Sequence, residues 1–249
     1  MQWSDEAIII STKKYGESSL IVNLLTPSYG LHAGLVRGAK KSLAICQAGN
    51  LVDVTWKGRL EEHLGNFTIE LKKSFSSLLM DDALKLGALN SSCSLVKKLL
   101  PEKEPHSEIF DLMLNLLANM SDEKDMSSWT KYYVELELGM LRHLGYGLDL
   151  SSCAATGDKN NLSYVSPKSG RAVSEEGGEP YKEKLLKLPS FLRPSFDKTY
   201  RDKIEDLREI IDGVTLTKYF LEKYVFAPQN VRIPAAREVF DRKLQESCI

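Results

Sequence analysis

Residues 18–36, SSLIVNLLTPSYGLHAGLV, decide the fold. A β-branched and Leu-rich run from Ser18 to Thr26 stops at the turn signal Thr26-Pro27-Ser28-Tyr29-Gly30. After it, Leu31, Ala33 and Leu35 alternate with His32, Gly34 and Val36. Upstream, Ala7 to Ser11 is a short apolar run. Downstream, Val52, Val54 and Trp56 alternate with Asp53, Thr55 and Lys57, and Phe67, Ile69 and Leu71 with Thr68, Glu70 and Lys72. Five short strands with no intervening helix cannot form a doubly wound sheet, and a small open sheet would leave its edges and one apolar face bare. A closed or nearly closed barrel solves both problems, and five strands point to an OB-fold.

From about Leu78 the period becomes helical. Leu79, Ala83, Leu86, Cys93, Val96 and Leu100 share one face of a first helix, which Pro101 ends. Ile109, Leu112, Met113, Leu116 and Met120 stripe a second, with Ser107 as its N-cap. Trp129, Tyr132, Tyr133, Leu136, Met140 and Leu144 stripe a third, capped by Ser127 or Ser128 and closed by Gly145 and Gly147. Periodicity lapses over 147–180, apart from a hairpin of Leu162 to Val165 with Arg171 to Val173. It returns from Tyr200 to Phe226, where Gly213 divides it, and from Pro234 to Gln245. The expected fold is α+β: a five-stranded OB-fold barrel over 1–77, then a mainly α-helical domain over 78–249 with an irregular insert at about 147–180.

The 249 residues carry 33 Lys+Arg against 34 Asp+Glu, are 43% hydrophobic and 27% charged, and so exclude disorder, collagen and a disulfide scaffold. The opening MQWSDEAIII has no basic region, and no stretch approaches the ~18–20 apolar residues of a membrane span, so a cytoplasmic protein is expected. Cys46, Cys93, Cys153 and Cys248 lie far apart and read as reduced thiols. The near-neutral total hides an uneven distribution. Residues 1–80 hold nine Lys/Arg against seven Asp/Glu, and between 11 and 41 Glu17 is the only acid among Lys13, Lys14, Arg37, Lys40 and Lys41.

Catalytic chemistry finds no positive signal. Residues 34–42, GLVRGAKKS, fail the spacing of a phosphate loop, and no C-x-x-C occurs. The acid pairs Glu61-Glu62, Asp81-Asp82 and Glu175-Glu176 point their members in different directions and read as solvated surface. No elbow motif activates a Ser or Cys nucleophile. What remains is the basic first domain, because phosphates are gripped by Lys and Arg and single strands stack on aromatic rings. Lys13, Lys14, Arg37, Lys40, Lys41, Lys57 and Arg59 fall at strand ends and loops, where OB-folds bind oligonucleotides. Trp56 alternates with Val52 and Val54 and reads as core rather than as a stacking platform. Two other classes stay open, a protein-interaction adapter and an RNA-binding OB protein.

The chain resembles the bacterial recombination mediator family RecO. The opening stretches Glu6 to Ser11, Tyr15 to Val22, Leu25 to Pro27, Tyr29 to Leu31 and Val36 to Ser42 carry the likeness, and so do Glu137 to Leu150, Leu162 to Val173 and Ile233 to Glu238. The resemblance implies a non-enzymatic, nucleoid-associated protein without cofactor. Such a protein binds single- and double-stranded DNA, anneals complementary strands and acts with RecR to load RecA onto DNA coated by single-stranded DNA-binding protein (SSB). Some family members carry a four-cysteine zinc finger after the third helix; here only Cys153 stands there, so no zinc is expected. The resemblance also implies a site in the helical domain for the acidic, Phe-ended tail of SSB. Lys131, Tyr132 and Arg142 on the third helix supply cations and apolar area for such a ligand, beside Trp129, Tyr133 and Leu136.

Overall fold

The computed structural model describes residues 1–38, 42–60, 62–123, 125–194 and 207–247. The chain forms two compact units, Met1–Asp122 with Pro234–Phe240, and Glu123–Ile233 with Asp241–Ile249.

In the first unit, β1 (Gln2–Tyr15), β2 (Ser19–Thr26), β3 (Gly30–Arg37), β4 (Leu51–Lys57) and β5 (Asn66–Lys73) close into a barrel of order β1-β2-β3-β5-β4. β1 is far longer than its apolar run because it serves two neighbours. Gln2 to Ile8 pair with β4, and Ile8 to Tyr15 pair with β2, with a register slip between Ile9 and Ser11 that bends the strand between them. The barrel closes where Leu35 of β3 meets Asn66 of β5 in parallel. Gly34 makes this approach feasible, since a Cβ there would stand 2.4 Å from the Phe67 ring. Ile9, Leu20, Val22, Leu24, Val54 and Trp56 fill the interior.

The expected first helix is interrupted. A short α1 (Phe75–Leu79) precedes α2 (Ala83–Leu99), and Asp82 caps α2 by accepting from the N–H groups of Leu84 at 2.9 Å and Lys85 at 3.0 Å. One acid of the pair Asp81-Asp82 is therefore a helix cap, and the interruption comes from that competition for backbone donors. In α3 (Ser107–Asp122), Ser107 already lies inside the helix. The cap position is His106, whose carbonyl accepts from Phe110 at 3.0 Å.

The second unit is built on α4 (Met126–His143) and α5 (Leu207–Phe220). Asp125, not Ser127 or Ser128, is the cap of α4; both serine hydroxyls donate to its carboxylate. Gly145, at φ +83°, closes the helix with Tyr146, which donates to Leu141 O at 2.8 Å. Gly213 does not divide α5. A Cβ there would meet the Phe191 ring at 2.9 Å and Val134 at 3.3 Å, so the glycine serves close packing within an unbroken helix. The irregularity comes later, in the π-helical turn Leu221–Phe226. Residues 200–206 of the expected helix lie outside the described residues. Fully buried Glu137 of α4 accepts from Tyr133 Oη at 2.8 Å and from the Thr217 hydroxyl of α5, fixing the two helices in one register. The expected hairpin is present as β6 (Leu162–Val165) and β7 (Ala172–Ser174), joined by a two-residue β8 (Leu186–Lys187) too short to read in sequence. The last helix, α6 (Ala235–Ser247), contributes to both units.

Candidate nucleic-acid interface

Strand register places the barrel's cations. Lys13 opposes Ile21, Ile21 opposes Leu35, Leu35 meets Asn66, and Asn66 opposes Lys57. Directly opposed residues share a face, so these five point outward from the barrel together. Lys13 and Lys57 each stand two strands from Leu35, about 10 Å at the usual strand spacing. Tyr15, Ser19 and Arg37 form a parallel outward row two residues along. Lys13, Arg37, Lys57 and Arg59 are all exposed. Lys14 is exposed too, but opposes buried Leu20, which in turn opposes buried Val36, and so belongs to the rim of the barrel mouth. Lys40 and Lys41 lie outside the described residues. Between β3 and β5 a groove of about 380 Å³ is lined by Val36, Arg37, Ser42, Asn66, Phe67 and Thr68, among others.

The aromatic residues divide. Trp56 is fully buried and donates from Nε1 to Leu64 O at 3.1 Å, a core residue that pins the β4–β5 loop. Gly65 in that loop has φ +61°, and a Cβ there would stand 2.2 Å from Trp56 Nε1, so only glycine lets the loop lie on the indole. Tyr15 is 57% exposed beside Lys14, available to a base.

In the second unit, Lys131 is buried rather than solvated, with Nζ 5.2 Å from the Tyr132 ring centroid. Tyr132 is half-buried and Arg142 exposed, while Trp129, Tyr133 and Leu136 are core. The sequence reading missed a neighbouring cavity of about 180 Å³, lined by Tyr146, Leu148, Lys168, Gly170, Phe220 and Tyr224, among others. Its walls come from three separate segments, which no periodicity links. Phe220 and Tyr224 stack at 5.6 Å, and Lys223 lies 5.1 Å from the Tyr224 centroid. Arg142 borders it, since a Cβ on Gly147, which also lines the cavity, would stand 3.3 Å from Arg142 Cγ.

The insert does not fit a structural zinc. Cys153 is the one cysteine among its described residues, and its buried sulfur accepts from the Ser174 N–H at 3.2 Å and the Ser174 hydroxyl at 3.3 Å. Burial pushes this thiol up, but the donors from Ser174 and Thr156 outweigh it and bring it down to about 6. A hydrogen-bonded sulfur thus knits the turn Cys153 to Asp158 to β7, with the Cys153 N–H on Asp158 O at 2.7 Å. No described helix is long and apolar enough to cross a membrane.

Two family models cover nearly all of the chain, Recombination protein O N terminal over residues 1–75 and Recombination protein O C terminal over residues 80–232. A DNA repair protein RecO of Rhodospirillum rubrum is 40% identical over 249 residues, covering 98% of this chain and 97% of the relative. One of Rhodospirillum centenum is 41% identical over 244 residues, covering 96% and 93%. One of Bartonella tribocorum is 40% identical over 254 residues, covering 98% and 97%.

Proposed function

This chain belongs to the RecO family of DNA repair and recombination proteins, and from that premise we propose that it binds single- and double-stranded DNA through its barrel, anneals complementary strands without catalysis, and works with RecR to load RecA onto SSB-coated single strands. The observation that carries the DNA reading is the outward row of Lys13, Leu35 and Lys57 with Arg37 beside it, next to a groove between β3 and β5. Exposed cations spaced over a partly apolar sheet face suit a flexible polyanion, which needs charge at intervals and apolar area for its bases. Lys14, Lys40, Lys41 and Arg59 complete the proposed interface.

The tail of SSB is assigned to the second unit. Its terminal aromatic ring suits the cavity walled by Tyr146, Phe220 and Tyr224, and its carboxylates suit Lys168 and Arg142. Lys131, on the same helix as Arg142, is buried with its Nζ 5.2 Å from the Tyr132 ring centroid.

The test is titration of a fluorescent oligonucleotide at several salt concentrations, with and without SSB. About four phosphate contacts give a log–log slope near −3 on a single strand, at roughly 0.7 per contact. Replacing Arg37, Lys40 and Lys41 together should flatten the slope by about 2. A salt-independent affinity would instead mark a protein adapter, and preference for structured RNA over DNA an RNA-binding protein.

A further inference from the structure

The barrel carries a second recess at the end where β2 turns into β3. It has a volume of about 390 Å³ and is lined by Trp3, Tyr29, His32, Glu62 and Lys103. That size falls in the range of small-ligand sites, ~300–1,000 Å³. Trp3 stacks nearly parallel on Tyr29, with centroids 4.2 Å apart and planes at 10°, and on Trp56 at 6.0 Å and 16°. His32 meets the stack edge-on, 5.2 Å from Trp3 and 5.4 Å from Trp56.

His32 is the anomaly. It is only 2% exposed, yet neither ring nitrogen has a hydrogen-bond partner among the described residues. Buried polar groups are nearly always satisfied, and exceptions call for a reason. Burial, with Lys103 beside it, lowers its pKa to about 4, so at neutral pH the ring offers one donor and one acceptor.

The walls are set in advance. The Tyr29 N–H donates to Thr26 Oγ1 at 2.9 Å, the Ser28 N–H to the Asp5 carboxylate at 3.0 Å, and the Lys103 N–H to Leu31 O at 2.8 Å. A ligand entering here meets side chains whose ordering cost has already been met by folding. Lys103 lines the recess together with the acid Glu62, and two further cations lie near it in sequence. Lys57 opposes Gln2, the residue before Trp3, and the loop that carries Glu62 begins with Lys57 and passes through Arg59.

We propose that this recess takes one unstacked nucleobase of single-stranded DNA. Its ring lies against the Tyr29–Trp3 stack, its hydrogen-bonding edge faces His32, and its flanking phosphates meet Lys103, Lys57 and Arg59. A purely apolar side chain would fill the space but leave both imidazole nitrogens unpaired. A base edge carries both donors and acceptors and so can pair with the imidazole nitrogen nearer the recess, whichever tautomer the ring adopts. Duplex DNA is excluded, because its bases are already paired and stacked. The inference rests on the DNA-binding reading and names where one base goes.

The experiment compares a thymidine oligonucleotide with a duplex of equal length, by fluorescence anisotropy, on wild type, Tyr29→Ala and Tyr29→Phe. Base–aromatic stacking gives an expected loss of roughly 5- to 150-fold in single-strand affinity for Tyr29→Ala. Duplex affinity should hold and Tyr29→Phe should bind as wild type. Unchanged single-strand binding by a folded Tyr29→Ala, or equal losses on both substrates, would overturn the proposal. Should Tyr29→Ala fail to fold, an abasic strand on the wild-type protein reads the same contact. It should bind more weakly than the thymidine strand at the same salt slope, and equal affinity would overturn the inference. Failure of the DNA reading itself looks different, since then neither substrate binds wild type with a salt-dependent slope.

Discussion

Cys153 shows how a single atom can hold a segment whose sequence has no periodicity. Its sulfur takes hydrogen bonds from the backbone and hydroxyl of Ser174. Cys153→Ala should leave a buried N–H unpaired and cost about 1–3 kcal/mol, read as a lower melting temperature. The effect should depend on pH. The thiol is lowered from 9.0 to about 6 in the folded chain, so the unfolded state binds more protons between these values and the stabilisation grows as pH rises. It is complete above pH 9 and lost as pH falls through 6. The melting-temperature gap between wild type and Cys153→Ala should therefore be wider at pH 8.5 than at pH 5.5. A gap constant across that range would show that the sulfur is not ionised. Residue roles of this kind were only partly legible in the sequence. Trp56 read as core because alternation marks it, whereas Asp82 read as surface because capping depends on where a helix starts, and that start was masked by an apolar stripe running through it.

Among the elements, the barrel strands and a closed barrel were legible, but the pair of strands that closes it was not. Alternation in β4 and β5 identifies two strands, but nothing local says that β3 and β5 meet in parallel through the pair Leu35 and Asn66. The glycine that permits the meeting carries no hydrophobic signal. Gly34→Val should drive a branched side chain into the space of the Phe67 ring, which stands 2.4 Å from the nearest Cβ position. Overpacking of this kind costs about 1–3 kcal/mol. Urea denaturation should show a lower midpoint, and Gly34→Val combined with Phe67→Leu should recover part of it. On the second unit, Gly213 misled by the opposite route. Glycine weakens helices in general, yet here it stands mid-helix under Phe191.

For the whole molecule, the division of labour predicts separable defects. Arg142→Ala should weaken binding of an SSB tail peptide by roughly 5- to 30-fold, the loss of one charge-assisted hydrogen bond of about 1–2 kcal/mol, while naked-DNA affinity stays constant. The triple change at Arg37, Lys40 and Lys41 should do the reverse. Fluorescence polarisation with the peptide and with an oligonucleotide checks both, and a variant that loses the two activities together would contradict the assignment. The switch of hydrophobic period near residue 77 marks where strands give way to helices, whereas the first compact unit runs on to Asp122 and takes in the early helices. The sharing of the last helix was not legible in the sequence, because a stripe names its buried face without naming what that face belongs to.

That shared helix sets a schedule for the nascent chain. Residues 2–73 contain every strand of the barrel, which can close as soon as it clears the ribosome. The first unit as a whole also requires Pro234–Phe240, and the second requires Asp241 onward. More than a hundred codons separate Asp122 from Pro234, on the order of 5–20 s of synthesis at ~5–20 residues per second. Through that interval the early helices wait incomplete, and a stalled or clipped product ending before Pro234 leaves both units short of a piece. Such products keep apolar surface open to chaperones and proteases.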